Sequence, residues 1–316
     1  MRGCGSRQTP GSLNNMSEDE LGCFGKLPFA ELDLLQREHG VSDTYWADAL
    51  PTPAILNGIS SIDTVALDPR RLVASVTIGI LHALNDIYAA GGLPRFFSVS
   101  LTVPSETDTT ALIEIGRAIT ECASMTKCAL GKLHTNRRDN LATITTCAIG
   151  SRCRAATVLP ANGIVWLLDE LKGASNTIIE LNNVAISRRI CMRELATARI
   201  SGPMKDVSGD GMAGAIYQIC VRHKVSIALF ANMLSSLIKY VVLDSCNQDR
   251  NYADYSSLID GFLHQNTSRM RHVLFEPQLF GPLVCLADEG LDLREVRGVQ
   301  IGTFTSGQAS LRLKHT

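Results

Sequence analysis

The chain has 316 residues, 45% of them hydrophobic, and its 30 basic and 31 acidic side chains leave a formal charge of −1. That length supplies one large or two moderate cores, with roughly 75% of the unfolded surface buried, and the balanced charge argues against a nucleic-acid partner or a polybasic membrane contact. Its ten cysteines form no C-x-x-C pair, which argues against a zinc or disulfide framework and suits buried free thiols in a reducing, cytoplasmic compartment.

In chain order, residues 1–21 read as a flexible polar tail with no apolar signal core. The helix-like LPFAELDLLQREHG closes at Gly40, and a strand-like ISSID follows a Pro-Thr-Pro turn. The apolar stretch from Leu72 to Ala90 is interrupted by Ser75, Thr77 and His82, so it predicts a buried helix rather than a membrane span. FFSVSLTVP alternates as a half-buried strand does. SETDTTALIEIGRAITECASM then opens with a capping pair at Ser105 and Asp108 and sets Leu112, Ile115, Ile119 and Cys122 on one helical face. LATITTCAIG is a further strand, so the first half reads strand, helix, strand, helix, strand.

The second half opens with LPANGIVWLLDELKG, where an Asn-Gly turn introduces a continuous apolar strand. VSIALF, HVLFEP, PLVCLAD and VQIGTF read as later strands. The pattern predicts two α+β domains with a boundary near Arg154: residues 22–154 and 155–316.

Chemistry gathers around KDVSGDGMAGA, residues 205–215. Glycines there allow positive φ and close approach of backbone N–H groups to a ligand, and the start of the following helix favours an anion. Such a loop suits phosphate, and Asp206 or Asp210 at its edge would suit Mg²⁺ between carboxylate and phosphate oxygens. A tight glycine turn capped by either acid accounts for the same residues. Asp63 ends a predicted strand and Asp86 lies in a largely apolar helix, where an unpaired charge is costly, so a cap, an ion pair or a shared metal is expected at each.

Taken together, the segments GCFGK, ADAL, SID, HALNDIYAAGGLP, LGKLHT, KDVSGDGMAGA and FEPQLFGPLV keep one order across residues 22–305. In that order the chain resembles the selenophosphate synthetases (selenide, water dikinases), a branch of the aminoimidazole ribonucleotide synthetase-like superfamily. The resemblance implies a homodimer whose N-terminal domains build a β-barrel, with a C-terminal α/β sandwich. It implies ATP-dependent phosphoryl transfer to selenide, giving selenophosphate, AMP and phosphate, with Mg²⁺ and K⁺ as accompanying ions. Asp48, Asp63, Asp86 and Asp206 would hold Mg²⁺ on the ATP phosphates. Cys23 would be the selenium-handling thiol and Lys26 its cationic neighbour, with Cys4 a rival that lacks a following lysine. His134, Thr135, Gly209 and Gly211 would contact nucleotide, Thr135 from the partner subunit.

The chain also departs from that pattern. Lys132 and Leu133 replace paired glycines, Gly25 replaces a second cysteine, His82 replaces an asparagine and Asp210 an aromatic, while Glu276, Leu279, Phe280 and Pro282 alter the last segment. These changes point to another acceptor on the same ATP site, or to a non-catalytic paralogue that acts through dimerisation.

Overall fold

The computed structural model describes residues 50–52, 57–139, 141–153, 159–171, 182–237, 246–260 and 268–314. Cys4, Cys23, Lys26, Asp48 and the helix-like segment ending at Gly40 lie outside them.

The first sheet has five strands: β1 (Leu50–Thr52), β2 (Gly58–Ala66), β3 (Gly92–Val103), β4 (Ala129–Arg137) and β5 (Thr143–Arg152). Their order is β1-β2-β5-β3-β4, and the sheet is open rather than closed into a barrel. Only β3 and β4 pair in parallel, because a helical crossover joins them. The sequence gives no sign of β4: ALGKLHTNR is exposed along most of its length and carries no alternating pattern. Pairing with β3, rather than burial, makes it a strand.

Helix α1 (Leu72–Ala89) lies across the inner face of this sheet, against β2, β3 and β5. Val76 and every residue from Ile78 to Ala89 are buried, as a helix that is apolar all round requires. The helical segment Pro69–Ala89 is long and apolar enough to cross a membrane, yet here it forms the centre of the core. Helix α2 (Thr109–Thr126) packs beside it and buries Ile115, Ile119 and Cys122, with Leu112 packed at the margin. Its cap is Asp108, whose carboxylate accepts from the Ala111 N–H at 2.7 Å. Ser105 lies three residues before that cap, so the expected pairing of the two as a capping box is not formed.

The second sheet has seven strands: β6 (Asn162–Leu168), β7 (Met204–Asp206), β8 (Val225–Phe230), β9 (Ile259–Asp260), β10 (Leu283–Ala287), β11 (Gly298–Ser306) and β12 (Ser310–Lys314). Their order is β7-β10-β6-β11-β8-β12-β9, mostly antiparallel, with β12 parallel to both neighbours. Helix α3 (Asn183–Arg199) shares one apolar cluster with α1 and with Trp166, Leu168 and Cys285 of the sheet. Helices α4 (Gly211–His223), α5 (Ala231–Ser236), α6 (Cys246–Tyr255) and α7 (Ser268–Phe275) gather on a second cluster built on Val165, Leu167 and Ile227.

HVLFEP, expected as a strand, belongs to α7 and the turn after it. Met270, Val273, Leu274 and Phe275 are its buried side chains; Met270 lies three and four residues before Val273 and Leu274, a spacing that puts them on one helical face. Among the described cysteines, Cys122, Cys128, Cys220 and Cys285 are buried free thiols as expected, whereas Cys153 and Cys191 are exposed.

Candidate active site

Strand alternation places Ser61 and Asp63 on the inner face of β2, and helical spacing places His82 and Asp86 one turn apart on α1. Where these elements cross, the Ser61 hydroxyl donates to Asp86 Oδ2 at 2.5 Å, and His82 Nε2 lies 3.8 Å from Asp63 Oδ2. The Phe280 N–H donates to His82 Nδ1 at 3.2 Å. A neutral ring accepting at Nδ1 carries its proton on Nε2, the nitrogen turned toward Asp63. His82 thus ties the strand acid to the chain segment before β10.

That segment is held by a buried ionic network. Arg193 of α3 donates from Nε to Asn85 Oδ1 at 2.5 Å and from Nη2 to the Gly281 carbonyl at 2.6 Å. Asn85 returns a hydrogen bond to Gly281 O at 3.1 Å, and Arg189 donates to Phe280 O at 3.0 Å. Asp169 lies 2.9 Å from Arg189 Nε and 3.3 Å from Arg193 Nη1, and the Arg193 guanidinium stacks 4.2 Å above the Phe280 ring. Burial pulls the Arg193 pKa down to about 10, against the opposing attraction of Asp169. Phe280 adopts φ +49 and Asp169 φ +82, unusual for residues with side chains, and both are held by these contacts. Asn85, Asp169, Arg189 and Arg193 did not stand out in the sequence; the only signal is two arginines four residues apart in SRRICMRELATAR.

Asp206 ends β7, which packs against α1, and it is 1% exposed. The Lys205 ammonium lies 2.5 Å from Asp206 Oδ1. Beyond it, the glycine turn is packed by chain. Gly211 adopts φ +66 and donates its N–H to Ser208 O at 3.0 Å. A Cβ there would lie 2.8 Å from Leu274 O and from Phe275 C. Gly209 O accepts from Asn251 Nδ2 at 2.9 Å, and Asp210 Oδ2 accepts from Gln218 Nε2 at 3.0 Å without capping α4. Close approach is therefore what Gly211 provides, and the approaching group is the end of α7.

His134 and Thr135 are exposed on the edge strand β4. Asp63 pairs across the sheet with Thr146, Thr146 with Val99 and Val99 with Leu133, so Leu133 shares its row. With β5 and β3 between them, β4 lies about 14 Å from β2 at ordinary strand spacing. One chain does not bring Thr135 to Asp63.

Among the described residues no three His, Cys, Asp or Glu side chains are grouped so as to hold a metal ion. Asp86 is held by Ser61, Asp63 faces His82, and Asp206 is engaged by Lys205. Of the four acids expected to hold Mg²⁺, Asp63, Asp86 and Asp206 are among the described residues and Asp48 is not.

Residues 53–151 match the family described as AIR synthase related protein, N-terminal domain. No curated protein matches the chain in sequence. Thiamine monophosphate kinase from Aquifex aeolicus shares the fold with a TM-score of 0.63 at 13% identity, over 91% of this chain and 98% of that one. A structure described as AaThiL complexed with AMPPCP and TMP gives 0.62 at 16% identity, over 91% and 92%. The hydrogenase maturation protein HypE in complex with ATP gives 0.57 at 15% identity, over 93% of each chain. The fold is thus that of the AIR synthase-related proteins, two mixed sheets with helices.

Proposed function

We propose that this chain is an ATP-dependent phosphoryl transferase of the AIR synthase-related fold, with selenide as acceptor. The observation that carries the nucleotide part is the fold shared along nearly the whole chain with proteins solved bound to an ATP analogue and to ATP. The acceptor rests on the ordered resemblance across residues 22–305, with Cys23 as the thiol and Lys26 as its neighbour. Asp63 and Asp86 are the acids at the phosphate end, and Thr135 reaches them from a second copy of the chain. The described residues do not form a metal-holding group, so no step is assigned to Mg²⁺ or K⁺. What they supply is a fixed wall in which Ser61 orients Asp86 and His82 faces Asp63.

The test is phosphorus NMR of the anaerobic protein with ATP, Mg²⁺ and selenide, beside a control without selenide. Selenophosphate and AMP only in the complete mixture are expected. ATP consumed with a different acceptor, and not with selenide, would redirect the reading to another substrate. Intact ATP throughout, with no thermal shift from nucleotide, would favour a non-catalytic partner. A ligand at 100 times its Kd adds about 2.7 kcal/mol of stability, so that shift is measurable. The Lys205–Asp206 pair and the packed Gly211 turn are the observations that favour the non-catalytic reading.

A further inference from the structure

We propose that the Lys205 ammonium is a built-in cation at Asp206, standing where the sequence resemblance placed a divalent ion, so that this acid binds no metal in this chain. Adjacent residues on a strand point to opposite faces, so a lysine does not ordinarily meet the carboxylate that follows it. Here β7 is the edge strand of the seven-stranded sheet, and among the described residues no strand pairs with its far side. The long Lys205 stem can fold round that edge, and its Nζ reaches Asp206 Oδ1 at 2.5 Å.

Both groups are withdrawn from water, with side-chain exposures of 10% and 1%. A carboxylate so buried needs a positive charge beside it to stay ionised. Lys205 supplies that charge permanently, as a short charge-assisted hydrogen bond. A divalent ion on the same carboxylate would sit against the ammonium and be repelled by it. The absence of a three-ligand group among the described residues agrees with an acid whose cation is already present. A charge supplied from within the chain leaves the carboxylate complete as soon as the chain folds.

The inference concerns the same cleft as the proposed activity but does not depend on nucleotide binding, and its test uses none. Free Mn²⁺ is followed by electron paramagnetic resonance as it is titrated into the full chain. Wild type and the neutral pair Lys205→Met/Asp206→Asn should bind the same amount of Mn²⁺, because Asp206 contributes no site. Lys205→Thr should gain an additional Mn²⁺, lose it again when Asp206→Asn is added, and show a thermal midpoint that rises with Mn²⁺ where the wild-type midpoint does not. Wild type binding more Mn²⁺ than the neutral pair would overturn the proposal. So would a folded Lys205→Thr, checked by circular dichroism, that gains none. If Lys205→Thr does not fold, the comparison of wild type with the neutral pair decides alone. Loss of ATP binding in these proteins would bear on the proposed activity instead.

Discussion

Asp169 shows how much of this molecule's polar chemistry is spent on holding itself together. It is 7% exposed, sits at φ +82 and faces two guanidiniums, Arg189 and Arg193, that are themselves buried. Asparagine tolerates the left-handed region nearly as well as aspartate, so Asp169→Asn removes the charge and little else. Two buried cations then lose the carboxylate they share, and breaking a buried pair in this way typically costs about 3–5 kcal/mol. Urea denaturation of Asp169→Asn should show a loss of that order; a loss below about 1 kcal/mol, within the range of exposed pairs, would mean that the network carries little of the stability. The loop at Phe280 and Gly281 hangs on the same arginines through its carbonyls, so the damage should extend to the site that His82 helps to shape.

Helix α4 carries a constraint at each end. At its start, Gly211→Ala forces a side chain into φ +66, which costs about 1–2 kcal/mol by itself, and sets a Cβ against the backbone of Leu274 and Phe275. A thermal midpoint clearly below wild type is expected, and an unchanged midpoint would show that α7 can move away freely. At its end, His223 is partly buried, and burial, with Arg222 beside it, pulls its pKa down to about 4. The unfolded chain then binds the extra proton first, so stability falls as pH drops from about 6.5 toward 4 and levels off below. His223→Gln should flatten that slope in denaturation midpoints measured across the window; an equal slope in both proteins would assign it elsewhere. These elements also show what could be read in advance. Helices α1 and α2 announce themselves through long apolar patterns, and most strands through alternation or continuous runs. The segment HVLFEP misleads because three adjacent apolar positions, Val273, Leu274 and Phe275, fit either period, and β4 is invisible because only its partner makes it a strand. At the site, Asp86 was legible as a costly acid in an apolar helix, Asp63 as the acid ending a strand and Asp206 as the acid at the edge of the glycine loop. Their partners were not, since Ser61, His82 and Lys205 become partners only when β2, α1 and β7 are folded together.

Across the whole molecule, the two faces of the first sheet differ in kind. The inner face is covered by α1, whereas the outer face leaves Ile62 68% exposed beside Thr64, whose hydroxyl pairs with that of Thr145 in the open. A lone exposed isoleucine is ordinary on a protein surface, so Ile62 serves as the probe of that face rather than as evidence of what covers it. The same arithmetic that separates β4 from β2 by about 14 Å keeps Thr135 away from Asp63 within one chain, so the proposed function, in which Thr135 comes from a second copy, requires a dimer. The wild-type chain is expected to sediment at twice its 34.2 kDa mass. Ile62→Lys, which alters no inward residue, should sediment as the monomer with an unchanged circular dichroism spectrum and should lose any thermal shift with ATP. A monomeric wild type would remove the dimer from the proposed function, and an Ile62→Lys protein that still dimerises would move the contact to another surface. Retained ATP binding in a monomeric variant would show instead that one chain completes the nucleotide site without Thr135 of a second.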